Sequence, residues 1–230
     1  MPDDQPYYGS WFLRVDRFAD VHVVAAQNKN QSCMLASIKM IVFKVNKLRP
    51  GKAALPTESR IEALYKQFEG NPNHDFDTTG SNRAIATQVL NALGIGNWAT
   101  EYPSTPAVPE KIMKYVGVDQ FGLGLTGINA AKRGYPVLLR CTWKSGRAHA
   151  IVCDTVTQIP LLGTYATICD PWDGDVHFEK MEKGKTMTYE PSEAIGINFW
   201  GSTKADAKGI GGVGTIDAIT YCQKAPGFWS

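Results

Sequence analysis

Between Gly134 and Gly174 the chain alternates short apolar runs with turn-forming breaks, a pattern that strands satisfy and a long helix cannot. Gly134-Tyr-Pro-Val-Leu-Leu-Arg-Cys-Thr-Trp143 and Ala148-His149-Ala-Ile-Val-Cys-Asp154 flank a Lys-Ser-Gly-Arg break and predict a β-hairpin. A third run, Tyr165-Ala-Thr-Ile-Cys169, stops at Asp170-Pro171-Trp172-Asp173-Gly174, where proline and glycine end the strand. His149 therefore opens one strand, and Asp170 closes a neighbouring one.

The first half of the chain carries a different period. After the polar loop Gln27-Asn-Lys-Asn-Gln-Ser, the segment from Cys33 places Leu35, Ile38, Ile41 or Val42, and Val45 at three- and four-residue steps. That spacing predicts an amphipathic helix opening at Cys33, with the preceding Asn and Ser as caps. Helices are also expected over Pro56 to Phe68 and Ser81 to Leu93, the latter stopped at Gly94. Helical segments followed by an antiparallel sheet make an α+β protein.

A cysteine at a helix N-terminus feels the positive end of the helix dipole and the unpaired N–H groups there, and both favour thiolate. Cys33 is thus a candidate nucleophile. Gln27, in a loop that must fold back on the helix start, is placed to aim an amide N–H at the oxygen of a tetrahedral intermediate. Loss of such a donor costs about 2.7–4 kcal/mol of barrier. His149 is the candidate general base and acid, and Asp170 the carboxylate that accepts the imidazole N–H and orients the ring. Taken singly, each has a bland alternative: a buried small hydrophobe, a structural histidine, an ordinary turn. The constellation of roles is what points to chemistry.

The segments Gln27 to Cys33, Gly134-Tyr-Pro-Val, His149-Ala-Ile-Val and Ile168-Cys-Asp-Pro-Trp-Asp-Gly resemble papain-like cysteine proteases of bacteria. They are most similar to the bacteriocin-processing peptidases that cut after double glycine and to papain-like effector proteases. The resemblance spans about residues 20 to 180. It implies a helical lobe carrying Cys33 packed on an antiparallel β lobe carrying His149 and Asp170, with Gln27 as oxyanion donor and no cofactor. Met34 departs from the glycine or tryptophan that follows the nucleophile in many relatives, and Asp170 stands where papain has asparagine. A rival pair, His177 with Asn198-Phe-Trp-Gly201, faintly resembles the Asn-Ser-Trp-Gly of plant and animal members. His177 sits in the charged stretch Asp-Val-His-Phe-Glu-Lys, so it ranks below His149.

The expected organisation is one domain over residues 1–230, with a mainly helical lobe at about 20–120 and a β lobe at about 121–200. A glycine-rich turn and C-terminal strand or tail fill 201–230. An aromatic lead-in covers 1–18, a strand runs from Asp20 to Ala26, Gly70 to Gly80 is a turn-rich loop, Pro103 to Pro109 a proline-rich crossing and Thr126 to Lys132 a short helix. Gly209-Ile-Gly-Gly-Val-Gly214 formally fits a dinucleotide fingerprint, but too little chain follows to build a βαβ unit. Its Gly211-Gly212 pair is a self-cleavage candidate for an enzyme that cuts after double glycine.

With 43% hydrophobic and 20% charged residues the chain has the apolar material for a sizeable core, and a net charge of +2 is too mild to indicate nucleic acid. The basic residues between Lys39 and Lys52 read as a solvated helix face. Cys141, Cys153 and Cys169 lie in apolar runs as reduced core residues, and Cys222 is undecided. The scattered histidines argue against a structural zinc. The polar, acidic start Met-Pro-Asp-Asp-Gln-Pro reads as no signal peptide, which implies cytoplasmic synthesis; delivery into a target cell by a secretion system needs none. No membrane partner is expected. The expected activity is that of a cysteine endopeptidase on polypeptide substrates, in the manner of a bacterial toxin or effector with a cognate inhibitor or immunity protein. The alternatives are an amidase or acyltransferase on the same fold, for example on peptidoglycan stems, and a non-catalytic binding module.

Overall fold

The computed structural model describes residues 11–16, 20–48, 55–120, 134–189 and 213–224. The helix that follows the polar loop is α1, Cys33–Leu48. Its expected apolar face is buried, and so are Ala36, Ser37, Met40 and Lys44. Helix α1 therefore runs through the interior and is covered on most sides.

That cover comes from both halves of the chain. Helices α2 (Glu58–Glu69) and α3 (Arg83–Ala92) pack on α1 from one side, and a large sheet packs from the other. Thr57 caps α2 by accepting the Arg60 N–H, and Gly70 ends it in the left-handed region at φ 72°. Asn82 caps α3 by accepting the Ala84 N–H.

The remaining elements are β1 (Trp11–Val15), β2 (Val21–Ala25), β3 (Asn97–Glu101), α4 (Val108–Val116), β4 (Asp119–Gln120) and β5 (Val137–Trp143), followed by β6 (Ala148–Ile159), β7 (Gly163–Asp170), β8 (Asp175–Met181), β9 (Thr188–Tyr189) and β10 (Gly214–Lys224). Strands β1 and β2 form a separate hairpin. The large sheet has the order β3-β10-β5-β6-β7-β8, with antiparallel neighbours; β4 adds to β6 in parallel and β9 to β10. The architecture is α+β.

Alternation along the central strands splits the core. Leu138, Ala150 and Val152 face α1, α2 and α3, whereas Val137, Leu139 and Ile151 face α4. A sheet buried on both faces explains why its strands read as near-continuous apolar runs.

The hairpin and third strand fall where the pattern puts them, and β2, α2 and α3 match their expected segments within a few residues. Two strands outside about 121–200 also join the large sheet. Strand β3 lies inside the stretch expected to be helical yet joins the large sheet, and the C-terminal strand β10 is an interior strand between β3 and β5. The proline-rich crossing runs into helix α4, which has proline in its first turn, where the missing N–H costs nothing. The expected helix over Thr126 to Lys132, the Gly211-Gly212 pair and Asn198 lie outside the described residues.

The basic stretch of α1 is also corrected. Lys39 is buried with its ammonium 4.7 Å from the Trp11 ring centroid, and Lys44 is buried against Asp154 at 2.6 Å. Charge alone suggested a solvated face; partners on β1 and β6, distant in sequence, make burial tolerable. Cys141, Cys153 and Cys169 are buried and outside any disulfide, as expected. Among the described residues no helix is long and apolar enough to cross a membrane.

Candidate active site

The loop before α1 is pinned at every step. Asn28 N–H donates to Glu58 at 3.3 Å, Asn30 N–H to Asp77 at 3.3 Å, and Gln31 N–H to the Phe76 carbonyl at 2.7 Å. Lys29 reaches Glu62 at 2.8 Å. Gln27 N–H donates to the Pro171 carbonyl at 2.8 Å, which ties this loop to the turn that carries Asp170. Ser32 caps α1 with its backbone: its carbonyl accepts the first helical bond, from Ala36 N–H, while its hydroxyl turns back to Lys29. The N–H groups of Cys33 and Met34 precede that first bond.

Three of the four expected residues converge at the end of the sheet. His149 Nε2–H donates to Asp170 Oδ1 at 2.7 Å, so the ring nitrogen left for Cys33 is Nδ1. His149 and the Ala150 N–H lie close enough to the Cys33 sulfur for both to favour its thiolate. Cys33 is half-buried, whereas His149 and Asp170 are 6% and 0% exposed.

Gln27 departs from its expected role. Both hydrogens of its amide are spent inside the loop, on the carbonyls of Lys29 at 2.8 Å and Asn30 at 2.9 Å, and Oε1 is buried without a partner. Reversing the amide would set its oxygen against two carbonyl oxygens, so the orientation is fixed. Gln27 braces the nucleophile loop in this conformation, and an oxyanion role requires one of those two hydrogens to be released.

The carboxylate that faces His149 is held from three sides. Asp170 Oδ1 also accepts the Trp172 N–H at 2.7 Å, and Oδ2 accepts the Tyr189 hydroxyl. The turn closes with Gly174 N–H on the Asp170 carbonyl at 3.0 Å, and Gly174 itself is left-handed at φ 68° with Phe12 so close that a Cβ would lie 2.7 Å from the ring. Only glycine meets both demands. Trp143 stacks on His149 with centroids 6.3 Å apart and planes 19° apart. Gly214 pairs with Trp143 on one side and Tyr189 on the other, and a Cβ there would stand 2.1 Å from Cys141 Sγ. The last glycine of the nominal nucleotide motif is thus a packing requirement beside the site.

Electrostatics favour an ion pair. Burial pushes the Cys33 thiol up, but the His149 hydrogen bond and charge, with the Ala150 N–H, outweigh it and hold the thiol below its ordinary value. Burial opposes an imidazolium at His149, yet the adjacent Asp170 carboxylate and the Cys33 sulfur lift it to about 10. Burial likewise opposes the Asp170 anion, and the His149 cation holds its pKa below the usual carboxylate range.

No protein-family model and no curated protein matches this chain. The roles of these residues rest on their geometry and chemistry.

Sequence reasoning missed Tyr189, Trp143 and the pair His177–Asp173. His177 is buried, not solvated: Nε2–H donates to Asp173 Oδ2 at 2.9 Å, and the ring meets Tyr189 edge-on at 5.6 Å. Burial opposes its charge, but Asp173, Asp170 and Asp175 raise it to about 9. It forms a cationic layer behind Asp170. The charged letters around it concealed a strand whose carboxylates turn inward.

Among the described residues two groups of side chains have metal-ligand chemistry: His22, Asp154 and Cys169, and Asp170, Asp173 and His177. In the first, Lys44 Nζ already supplies the cation, 2.6 Å from Asp154 and 3.5 Å from Cys169 Sγ, while His22 donates to Asp154 at 2.7 Å and Asp16 at 3.2 Å. In the second, the Asp170 oxygens are taken by His149, Trp172 and Tyr189.

Tyr189→Phe removes one donor from a buried carboxylate and leaves the shape of the core unchanged. It is expected to cost about 1–3 kcal/mol of unfolding free energy, read from urea denaturation at pH 7. An unchanged midpoint would show that the hydroxyl does not hold Asp170.

Proposed function

We propose that this protein is a papain-like cysteine endopeptidase that hydrolyses peptide bonds through Cys33, His149 and Asp170. The observation that carries the proposal is the convergence of a lowered-pKa thiol at a helix N-terminus with an imidazole that is itself hydrogen-bonded to a buried carboxylate.

The chemistry follows from the charges. The Cys33 thiolate attacks the scissile carbonyl carbon, forming a C–S bond and a tetrahedral oxyanion beside the Cys33 and Met34 N–H groups at the helix start. His149 Nδ1–H protonates the leaving nitrogen as the C–N bond breaks, and a thioester remains. Neutral His149 then takes a proton from water, the hydroxide adds to the thioester, and collapse expels the Cys33 thiolate. The proton stays on His149, which restores the ion pair. Asp170 keeps the imidazole oriented throughout and stabilises its charged form.

The test is to incubate the protein and Cys33→Ala with bacterial lysate and map new N-termini by mass spectrometry. New termini that require Cys33 establish the peptidase. Their absence would overturn the endopeptidase proposal.

The ion pair also sets a pH dependence. With the thiol lowered and His149 protonated up to about 10, alkylation of Cys33 by iodoacetamide is expected to level off at a lower pH than that of an ordinary thiol. An ordinary thiol instead gains about tenfold per pH unit until its pKa near 8.5. A rate that climbs in that ordinary way would contradict the ion pair.

A further inference from the structure

Arg83, the first residue of α3, is a buried cation whose hydrogen bonding is half complete. Its Nη1 donates to the Leu138 carbonyl at 3.3 Å and to Thr220 Oγ1 at 3.1 Å. Its Nε and Nη2 are buried with no partner among the described residues, although the side chain lies in a site only 5% exposed. A buried guanidinium with an empty donor edge is costly to keep and marks a place where an anion is missing.

The nearby carboxylate does not fill that edge. Asp217 is held bidentately by Arg140, Nε at 2.7 Å and Nη2 at 2.9 Å, and also accepts from Thr142. Arg140 thereby uses on Asp217 the same Nε/Nη2 edge that Arg83 leaves open. Burial and the neighbouring Arg140 charge depress Arg83 to about 10, which still leaves it charged at neutral pH.

The edge lies on the nucleophile's side of the sheet. Leu138, which accepts from Arg83, and Ala150 belong to one buried cluster facing α1 and α3, and Cys33 packs against that same cluster. Cys33 is among the groups whose charge Arg83 feels.

We propose that Arg83 is the anion-recognising residue of a substrate subsite beside Cys33. Its Nε–H and Nη2–H take the two oxygens of a substrate carboxylate adjacent to the scissile bond, supplied by an acidic side chain or by a peptide C-terminus. The inference rests on Cys33 being the reactive thiol of the proposed peptidase.

Paired alkylation separates the two ideas. Iodoacetate and iodoacetamide each lose iodide to the Cys33 thiolate, but only iodoacetate carries a carboxylate. The His149 imidazolium attracts that anion in every variant, so comparison with Arg83→Met isolates the guanidinium. The ratio of iodoacetate to iodoacetamide rate is expected to fall about tenfold in Arg83→Met, the iodoacetamide rate correcting for any change in the thiolate itself. Arg83→Lys, which keeps the charge without the fork, is expected to retain part of the ratio and serves as the second variant. Because no described carboxylate pairs with Arg83, its replacement by methionine should leave thermal stability unchanged or raised. An unchanged ratio in a folded Arg83→Met would overturn the subsite and leave the thiolate intact. Failure of both reagents to label Cys33 would overturn the reactive thiol and the subsite with it.

A tryptic digest of lysate then identifies the source of the carboxylate. Cleavage beside internal Asp or Glu assigns the side chain, and trimming at the C-terminal end assigns the terminal group. Cleavage with neither preference would again overturn the subsite.

Discussion

Replacing Cys33 by alanine is expected to lower peptide hydrolysis by about 10⁶-fold, to the level that surrounding donors and binding alone provide. The fold should tolerate the change. Cys33 is half-buried, and its partner His149 keeps the Asp170 carboxylate at 2.7 Å, so no buried charge loses its counter-ion. The measurement is initial rate on a cleaved peptide taken from the mapped termini, alongside a thermal melt. Retained activity in a well-folded Cys33→Ala protein would exclude the thiol as nucleophile. Cys33→Ser offers a finer comparison, because a hydroxyl in the same place lacks the acidity that His149 and the Ala150 N–H exploit in the thiol.

The second large effect is expected from Asp170→Asn, a loss of between about 10² and 10⁴ in kcat/KM. Asparagine preserves volume and an acceptor for the His149 Nε2–H, yet it removes the charge that holds His149 protonated to about 10. A buried imidazole deprived of its carboxylate releases its proton, and the Cys33 thiol, no longer facing a cation, returns toward its ordinary range. The pH profile of alkylation should therefore move: the rate stays low at neutral pH and rises on the alkaline side. The asparagine amide would also aim at the Tyr189 hydroxyl, reversing a bond in which Tyr189 is the donor. A variant with lowered activity but an unshifted profile would show that Asp170 orients the ring without setting its charge.

The candidate site was legible wherever chemistry and local order coincide. Cys33 after a polar loop, His149 at a strand start and Asp170 at a strand end each occupy the local setting their letters imply, and the structure brings the three together. Gln27 was legible as a loop residue only. Its side chain answers to two carbonyls within its own turn, a contest that spacing does not reveal. Tyr189 could not have been found. It sits on a two-residue strand that exists because β10 pairs beside it, and nothing in Met187-Thr188-Tyr189 announces that its hydroxyl meets Asp170. The same applies to Lys44, whose burial depends on Asp154 far along the chain. Periodicity encodes which face is covered, whereas the partner that neutralises a charge is a property of topology. Strand β3 was hidden for that reason too, since its sheet neighbour β10 lies far along the chain.

The tie between the Gln27 loop and the Pro171 carbonyl has a consequence for the timing of synthesis. The thiol emerges from the ribosome early, inside a helix whose start is not yet fixed, whereas His149, Asp170, Tyr189 and the strand β10 that supports Tyr189 are added much later. At about 5–20 residues per second, the nascent chain spends on the order of ten seconds with its cysteine present and every activating partner absent. Through that interval Cys33 is an ordinary thiol. For the proposed peptidase, reactivity would then wait until β10 has been made and paired, so that a growing polypeptide is spared by its neighbours.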